Sequence, residues 1–438
     1  MMKIISPSLL VLSLLSTQAW AQAADPSAAP ETTRAAVTDR TRADAPMALD
    51  EAYELALDYD AEYKLAEAEF DVNKTAAKQS MAAYLPSASY SMTNIPTDGL
   101  TRQVFSVNQP IVSLERLAVL RQRGPRRRYA DTYLLFRQNE LAQRVLKSVA
   151  DYVRANESAK LNAAKVRALS EQSVRATRLY KGGLGTVTDA RELEVRYQQA
   201  KAAQILLESE RGAVAARLRS LTGVDISDKD FILPDRVPRI ALLPKEELEP
   251  GVQTNPSVIA AGLSERVAKL DAQRAKWGLL PTVNGSASYT LASGRSISFV
   301  GITVSAPINA GGIFSAQASS ASARRSSEER RRIQEQAKVG FQRLYGLVSG
   351  GDAALQSSAL AIEAAEQSVV ANQKSYDGGV RSNLDVVNAI QTAFEVKSQY
   401  VNSAMSLAEN YLDLQLTAGV SAAEAIASVQ KFMFRGQR

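Results

Sequence analysis

Two aspartates, Asp189 and Asp385, follow paired glycines at the same spacing. The stretches are "YKGGLGTVTDA" from Tyr180 and "YDGGVRSNLDVVNA" from Tyr376. Tyr180 aligns with Tyr376, Gly182 with Gly378, Gly183 with Gly379 and Gly223 with Gly419, all at a constant offset of 196 residues. A carboxylate so placed can accept backbone N–H bonds at a helix start, pair with an arginine, or join a ring of charge around an opening. Little other chemistry is open to this chain. Its 438 residues include no Cys and no His, so thiol nucleophiles, imidazole bases and the usual transition-metal ligands are missing. No metal and no cofactor is implied. An enzyme is not expected, since a carboxylate-based hydrolase would have only scattered Asp and Glu behind it. Nor do the glycine turns read as phosphate loops, because "GGLGTVTD" lacks the Lys-Ser/Thr ending and a preceding strand.

The N-terminus reads as a signal peptide over residues 1–21, with Lys3, an apolar stretch from Leu9 to Leu15, and Ala19-Trp20-Ala21 at the cleavage site. With no Cys there, the exported chain is expected to carry no lipoprotein-type acyl chain. Residues 22–46 are Ala, Asp, Thr and Pro with few large apolar side chains, which reads as a disordered lead. No later apolar run reaches bilayer length, so a membrane-inserted form must be a closed barrel. The net charge is +6. Basic runs at 121–128 and 324–332 read as solvated helix faces, or as a positive collar close to anionic lipid. Export argues against a nucleic-acid partner.

The elements that would position the glycine turns come in two sets. Repeat 1 spans 47–223: a helix, a β-hairpin at 86–111, a long helix to Tyr180 and a shorter helix from Asp189. Repeat 2 spans 255–420 with the same order and a hairpin at 281–308. A linker at 224–254 carrying Pro234, Pro238, Pro244 and Pro250 joins them, and 421–438 reads as a C-terminal tail. In the long helix Leu141, Val145, Val149, Tyr152, Ala159, Ala163 and Val166 recur at coiled-coil intervals. At about 1.5 Å per residue that helix spans roughly 100 Å. The two shorter helices of repeat 1, laid end to end, match it in length. Gly124-Pro125 interrupts it early and predicts a bend or a late start.

Each hairpin offers strands of transmembrane length. Val283, Ala287, Tyr289 and Leu291 alternate with Asn284, Ser286, Ser288 and Thr290, whereas the first hairpin reads as the poorer example. Four strands cannot close a barrel, and open edges cannot face lipid. Several copies must therefore pool their strands.

Taken together, the duplicated plan, the "YLPS" and "LLPT" helix ends, the "QPI" and "APINAGG" strand exits and the paired glycine turns resemble the outer-membrane factor (TolC) family of exit ducts. The resemblance implies a mainly α fold with β: a homotrimeric twelve-stranded transmembrane barrel, four strands per chain, continuous with an α-helical coiled-coil tunnel in the periplasm. It implies a periplasmic adaptor, or membrane fusion protein, docking on tips formed by Gly182, Gly183 and Leu184 and by Gly378, Gly379 and Val380. It also implies an inner-membrane ABC or other transporter as a further partner, and outer-membrane lipid around the barrel. By the same resemblance Asp385 matches a carboxylate that narrows the tunnel entrance, with Asn388 where the family has a second acidic ring. Arg381 and Tyr376 match a pair that ties the inner hairpin to Asp189 in the neighbouring one. The function so implied is passive conduction of cargo, leaning towards type I protein secretion. Drug or small-molecule efflux is the alternative, and a soluble periplasmic coiled-coil adaptor the lower one.

Overall fold

A computed structural model describes residues 46–95, 100–234, 236–292, 294–307 and 310–434. The expected signal peptide, nearly all of the lead and both hairpin turns (96–99 and Ser293) lie outside the described residues. Among the described residues no helix is long and apolar enough to cross a membrane.

The first repeat opens with α1 (Leu49–Tyr59) and α2 (Ala61–Ala82). One helix from residue 49 to 84 was expected; it breaks at Asp60, which leaves helical geometry (φ −63°, ψ 120°) and caps α2 by accepting the Tyr63 N–H at 2.7 Å. Arg144 fixes that carboxylate at 2.8 Å. The hairpin β1 (Ser87–Ile95) and β2 (Leu100–Val112) follows, then α3 (Leu114–Arg121) and α4 (Arg123–Lys181). Gly124-Pro125 thus marks a late start. Gln122 ends α3 in αR geometry and its carbonyl accepts the Arg126 N–H at 2.9 Å, so Pro125 falls within the first turn of α4, where a missing N–H costs nothing. Helix α5 (Val187–Thr222) completes the repeat.

The second repeat has α7 (Pro256–Trp277), β3 (Thr282–Ala292), β4 (Arg295–Ser305), α8 (Ala310–Asp377) and α9 (Asn383–Thr417). Its 68-residue α8 is continuous, since Ala321-Ser322 stands where repeat 1 has the helix breaker Gly124-Pro125. Long helix α4 is flanked by α2 towards the sheet and by α5 towards the far end, and α8 by α7 and α9 likewise.

The four strands form one antiparallel sheet in the order β1-β2-β3-β4. The two hairpins therefore meet through β2 and β3, with Phe105 opposite Tyr289 and Val107 opposite Ala287. One face carries Ala88, Tyr90 and Met92, then Phe105 and Val107. The same face continues through Val283, Ala287, Tyr289 and Leu291 to Val300, Ile302 and Val304. Its opposite presents Ser89, Ser91, Ser106, Ser286, Ser288 and Thr290. The first hairpin, expected to be the weaker example, alternates cleanly on β1; only β2 is mixed. Phe299 departs from the polar pattern and lays its ring over Gly301, where a Cβ would meet it at 2.6 Å.

The main core gathers at mid-length, where Leu141, Val145, Val149 and Tyr152 of α4 are buried with Met405, Leu407 and Leu412 of α9. Ala159 of the predicted row is buried too, while Ala163 and Val166 are only half-buried. The proline-rich linker joins this core. It holds α6 (Lys245–Leu248) and a 3₁₀ turn, Glu249–Thr254, and it buries Phe231, which meets Tyr152 and Phe434 edge-on at 6.4 and 6.1 Å. The described residues after 420 are not a loose tail. Helix α10 (Ala422–Met433) buries Ile426, Val429 and Met433, and its Gln430 side chain accepts the Leu49 N–H at 2.7 Å.

Candidate functional site: two helical tips and an open sheet

The repeated glycine turns have one backbone. In the first, Leu184 N–H bonds Leu179 O at 2.9 Å and Gly183 N–H bonds Tyr180 O at 3.1 Å. In the second, Val380 N–H bonds Ser375 O at 2.9 Å and Gly379 N–H bonds Tyr376 O at 3.0 Å. Both are Schellman motifs, with Gly183 (φ +70°) and Gly379 (φ +71°) in the left-handed position. Only the second glycine of each pair needs to be glycine. Gly182 has φ −84°, and Gly378 is outside the left-handed region. The residue that follows each motif is apolar and bare: Leu184 is 81% exposed and Val380 82%.

After the turns the two tips part company. Thr186 caps α5 by accepting the Asp189 N–H at 3.1 Å, and among the described residues no bond returns from the Asp189 carboxylate to the cap. Ser382 caps α9 as a closed capping box. Its hydroxyl accepts the Asp385 N–H at 3.2 Å, while Asp385 Oδ2 accepts the Ser382 backbone N–H at 3.0 Å and the hydroxyl at 2.8 Å. The Ser382 hydroxyl, then its backbone N–H, hold the Asp385 carboxyl below the ordinary carboxylate range, with a smaller pull from Arg381. Arg381 Nη1 lies 3.8 Å from Asp385 Oδ1, a solvent-exposed contact. Asn388, one turn on, is exposed.

The expected tie from Arg381 and Tyr376 to Asp189 is therefore not formed within one chain. Arg381 faces its own Asp385, and the Tyr376 ring lies 5.1 Å from the Arg175 guanidinium. Asp189 instead borders a shallow groove with Leu193 and with Asn383, Leu384 and Val387 at the start of α9. What joins the hairpins here is Arg175 with Asp377 at 2.6 Å and Gln172 with Gln373 at 2.7 Å. Sequence reasoning passed over these residues because they break the duplication. Asp377 stands where the first tip has Lys181, and that reversal of charge at a matched position was the available signal. Behind the groove Val387 packs on Leu169, Ala190 and Leu193. Asn383 is 8% exposed with its amide oxygen unpaired.

At the other end lies the sheet. Its strands of 9, 13, 11 and 11 residues have the length of tilted membrane-spanning strands. Tyr90, Val300, Ile302 and Val304 on its apolar face are more than half exposed. Strands β1 and β4 each pair on one side only. Among the described residues no group of His, Cys, Asp and Glu could hold a metal.

A family model described as outer membrane efflux protein matches residues 252–420. The chain is 27% identical over 408 residues to the proteases secretion protein PrtF of Dickeya chrysanthemi, covering 85% of this chain and 88% of that relative. It is 24% identical over 402 residues to the alkaline protease secretion protein AprF of Pseudomonas aeruginosa, covering 84% and 83%. The fold is that of the CmeC outer membrane channel of Campylobacter jejuni, with a TM-score of 0.73, 13% identity and coverage of 89% and 90%.

Proposed function

From the outer membrane efflux protein match over residues 252–420 and the two secretion relatives, we propose that the chain belongs to the outer-membrane factor (TolC) family and is the outer-membrane exit duct of a tripartite export system. The observation that carries this is the four-stranded sheet with one apolar face and two unpaired edges. Such a sheet is stable in lipid only when β4 of one copy meets β1 of the next, and three copies give twelve strands. The helices then continue from the barrel into the periplasm as a tunnel wall. Cargo is conducted without catalysis by this chain. The names of the two curated relatives favour protein secretion, in which an inner-membrane ABC exporter supplies the cargo.

The bare apolar tips, Leu184 and Val380, are the docking points for a periplasmic adaptor, with Gly182, Gly183, Gly378 and Gly379 shaping them. Asp385 and Arg381, with Asn388 one turn farther on, line the entrance, and Tyr376 and Asp189 hold the hairpins closed across copies. Opening is a swing of the α8–α9 hairpin about its packing on α4.

Fractionation is the direct test. A heat-sensitive oligomer extracted from outer membranes by detergent supports the duct, while a water-soluble monomer released with the periplasm removes it. In planar bilayers Asp385→Ala should weaken cation block and Arg381→Ser should raise conductance; no change in either overturns the entrance assignment alone.

A further inference from the structure

Arginine is concentrated just below the sheet. Residues 113–130 hold six arginines against one carboxylate, Glu115, and residues 306–332 hold five against Glu328 and Glu329. These two stretches outweigh the net charge of +6 carried by the whole chain, so the remainder is net negative. The excess is a local feature and not a general basicity.

Four nearby carboxylates are already committed, while Glu328 and Asp131 have no ion pair among the described residues. Glu115 pairs with Arg274 at 3.2 Å, and Asp271 accepts from the Gln122 amide at 2.7 Å. Glu265, nearly buried, is held by Lys269 and by Arg330 at 2.8 Å, which together pull its carboxyl down to about 2. Glu329 goes to Arg332. Among the described residues this leaves Arg123, Arg127 and Arg128 on α4 and Arg324, Arg325 and Arg331 on α8 with no ion-pair partner within the chain, all of them exposed. Runs of like charge repel one another, so they stay cheap only where something anionic lies opposite.

Depth identifies that partner. Arg123 follows the end of β2 by eleven residues of mostly helical chain, about 16 Å. A headgroup layer adds about 5–8 Å beyond the hydrocarbon, and at physiological salt its potential reaches about 8 Å further. Long guanidinium stems can also reach back towards the boundary. Between the strands and these arginines Arg121 stacks on Trp277 at 5.6 Å, a ring and cation at the depth where tryptophan favours a membrane interface. Guanidinium matches phosphate oxygens two at a time.

Resting on the duct reading, we infer that this arginine collar binds the phosphate headgroups of anionic phospholipid in the periplasmic leaflet of the outer membrane. It sets the depth of the barrel and draws an anionic annulus around it. On α8 the first unpaired arginine, Arg324, comes nineteen residues after the end of β4, about 28 Å, so the arginines of α4 form the part of the collar that reaches the headgroups.

The full-length protein, purified in detergent and exposed to mixed micelles of phosphatidylglycerol and phosphatidylcholine, provides the test. After washing, wild type should retain phosphatidylglycerol over phosphatidylcholine by about three-fold or more, given the attraction of each arginine near an anionic surface. The triple variant Arg123→Gln, Arg127→Gln, Arg128→Gln should bring the ratio close to one. Removing three exposed arginines near the tips, Arg167→Gln, Arg178→Gln and Arg191→Gln, should leave it unchanged. An unchanged ratio in the first triple, or an equal fall in the second, overturns the collar. So does complete displacement of the lipid by inorganic phosphate, or loss of sedimentation with purified cell-wall sacculi in a variant that keeps its phosphatidylglycerol. Should the first triple fail to assemble, Arg123→Gln alone reads the same ratio. The oligomer is scored in parallel: a variant that still forms a heat-sensitive oligomer but shows no lipid preference sinks the collar and leaves the duct standing.

Discussion

The two tips share a backbone and differ in what their side chains do with it. Gly183 and Gly379 have the same φ to within a degree, and the same pair of bonds closes each turn. Beyond the turn, the first tip has a single cap at Thr186, whereas the second locks Asp385 in a closed box with Ser382 and places Arg381 beside it. Duplication has kept the geometry that reverses a helical hairpin and let the chemistry diverge. The hairpin with the more elaborate cap is the one whose carboxylate is assigned to the entrance. Under the proposed entrance reading, the closed box would keep that carboxylate at one radius while the hairpin swings.

The shared part of the comparison should give the largest effects, and equal ones. Gly183→Ala and Gly379→Ala force a Cβ into the left-handed region, at about 1–2 kcal/mol each. Gly182→Ala and Gly378→Ala should change little, within about 0.5 kcal/mol, because Gly182 is at φ −84° and neither needs a positive φ. Hydrogen exchange of the amides flanking each turn measures both pairs. A clear inequality between Gly183→Ala and Gly379→Ala would show that the common backbone is not the common constraint.

The caps should separate the tips at about half that size. Ser382→Ala removes a hydroxyl that both accepts and donates, and should cost about 1 kcal/mol of local stability at α9. Thr186→Ala removes one accepted bond and should cost less. Equal losses would mean that the closed box contributes nothing beyond its first bond.

Acid should also act on the second tip. The Asp385 carboxyl is held below its ordinary range by the Ser382 bonds, so the folded tip prefers the ionised form. Its contribution is complete above the ordinary value of 3.8 and is lost as pH falls from there through the lowered one. Protection of the Val386 and Val387 amides should fall in that window in wild type and lose this step in Asp385→Asn.

How much of this could be read beforehand depended on whether a signal was local. The glycine turns and the strand alternation are written in adjacent residues, so both turns and the hairpins were legible. The break at Asp60 was not, because it needs Arg144, far along the chain, to hold the carboxylate that caps α2. Helix α10 was missed for a related reason: its apolar face is explained by α1 and α4, distant in sequence, and by α9, all packed against it. The place of Asp385 after its glycine turn was legible in the repeated spacing. That Arg381 lies beside it within the chain was not, because sequence spacing does not say which of two aspartates an arginine will face.

The smallest effect tests the ion pair that joins the hairpins beside the glycine turns. Arg175 and Asp377 are 2.6 Å apart but each nearly half exposed, so a double-mutant cycle with alanine should give a coupling of about 0.2–1 kcal/mol that fades with salt. Asp377→Lys copies the charge that Lys181 supplies at the first tip and sets it against Arg175. If the asymmetry of the tips is functional, this change should loosen the hairpin and raise conductance while leaving oligomer stability unaltered. The Tyr376 ring would still lie against the Arg175 guanidinium, so the loss should be partial. Equal conductance in wild type and Asp377→Lys would place the restraint wholly between copies, at Asp189, and would make the charge reversal between the tips a neutral divergence of the repeat.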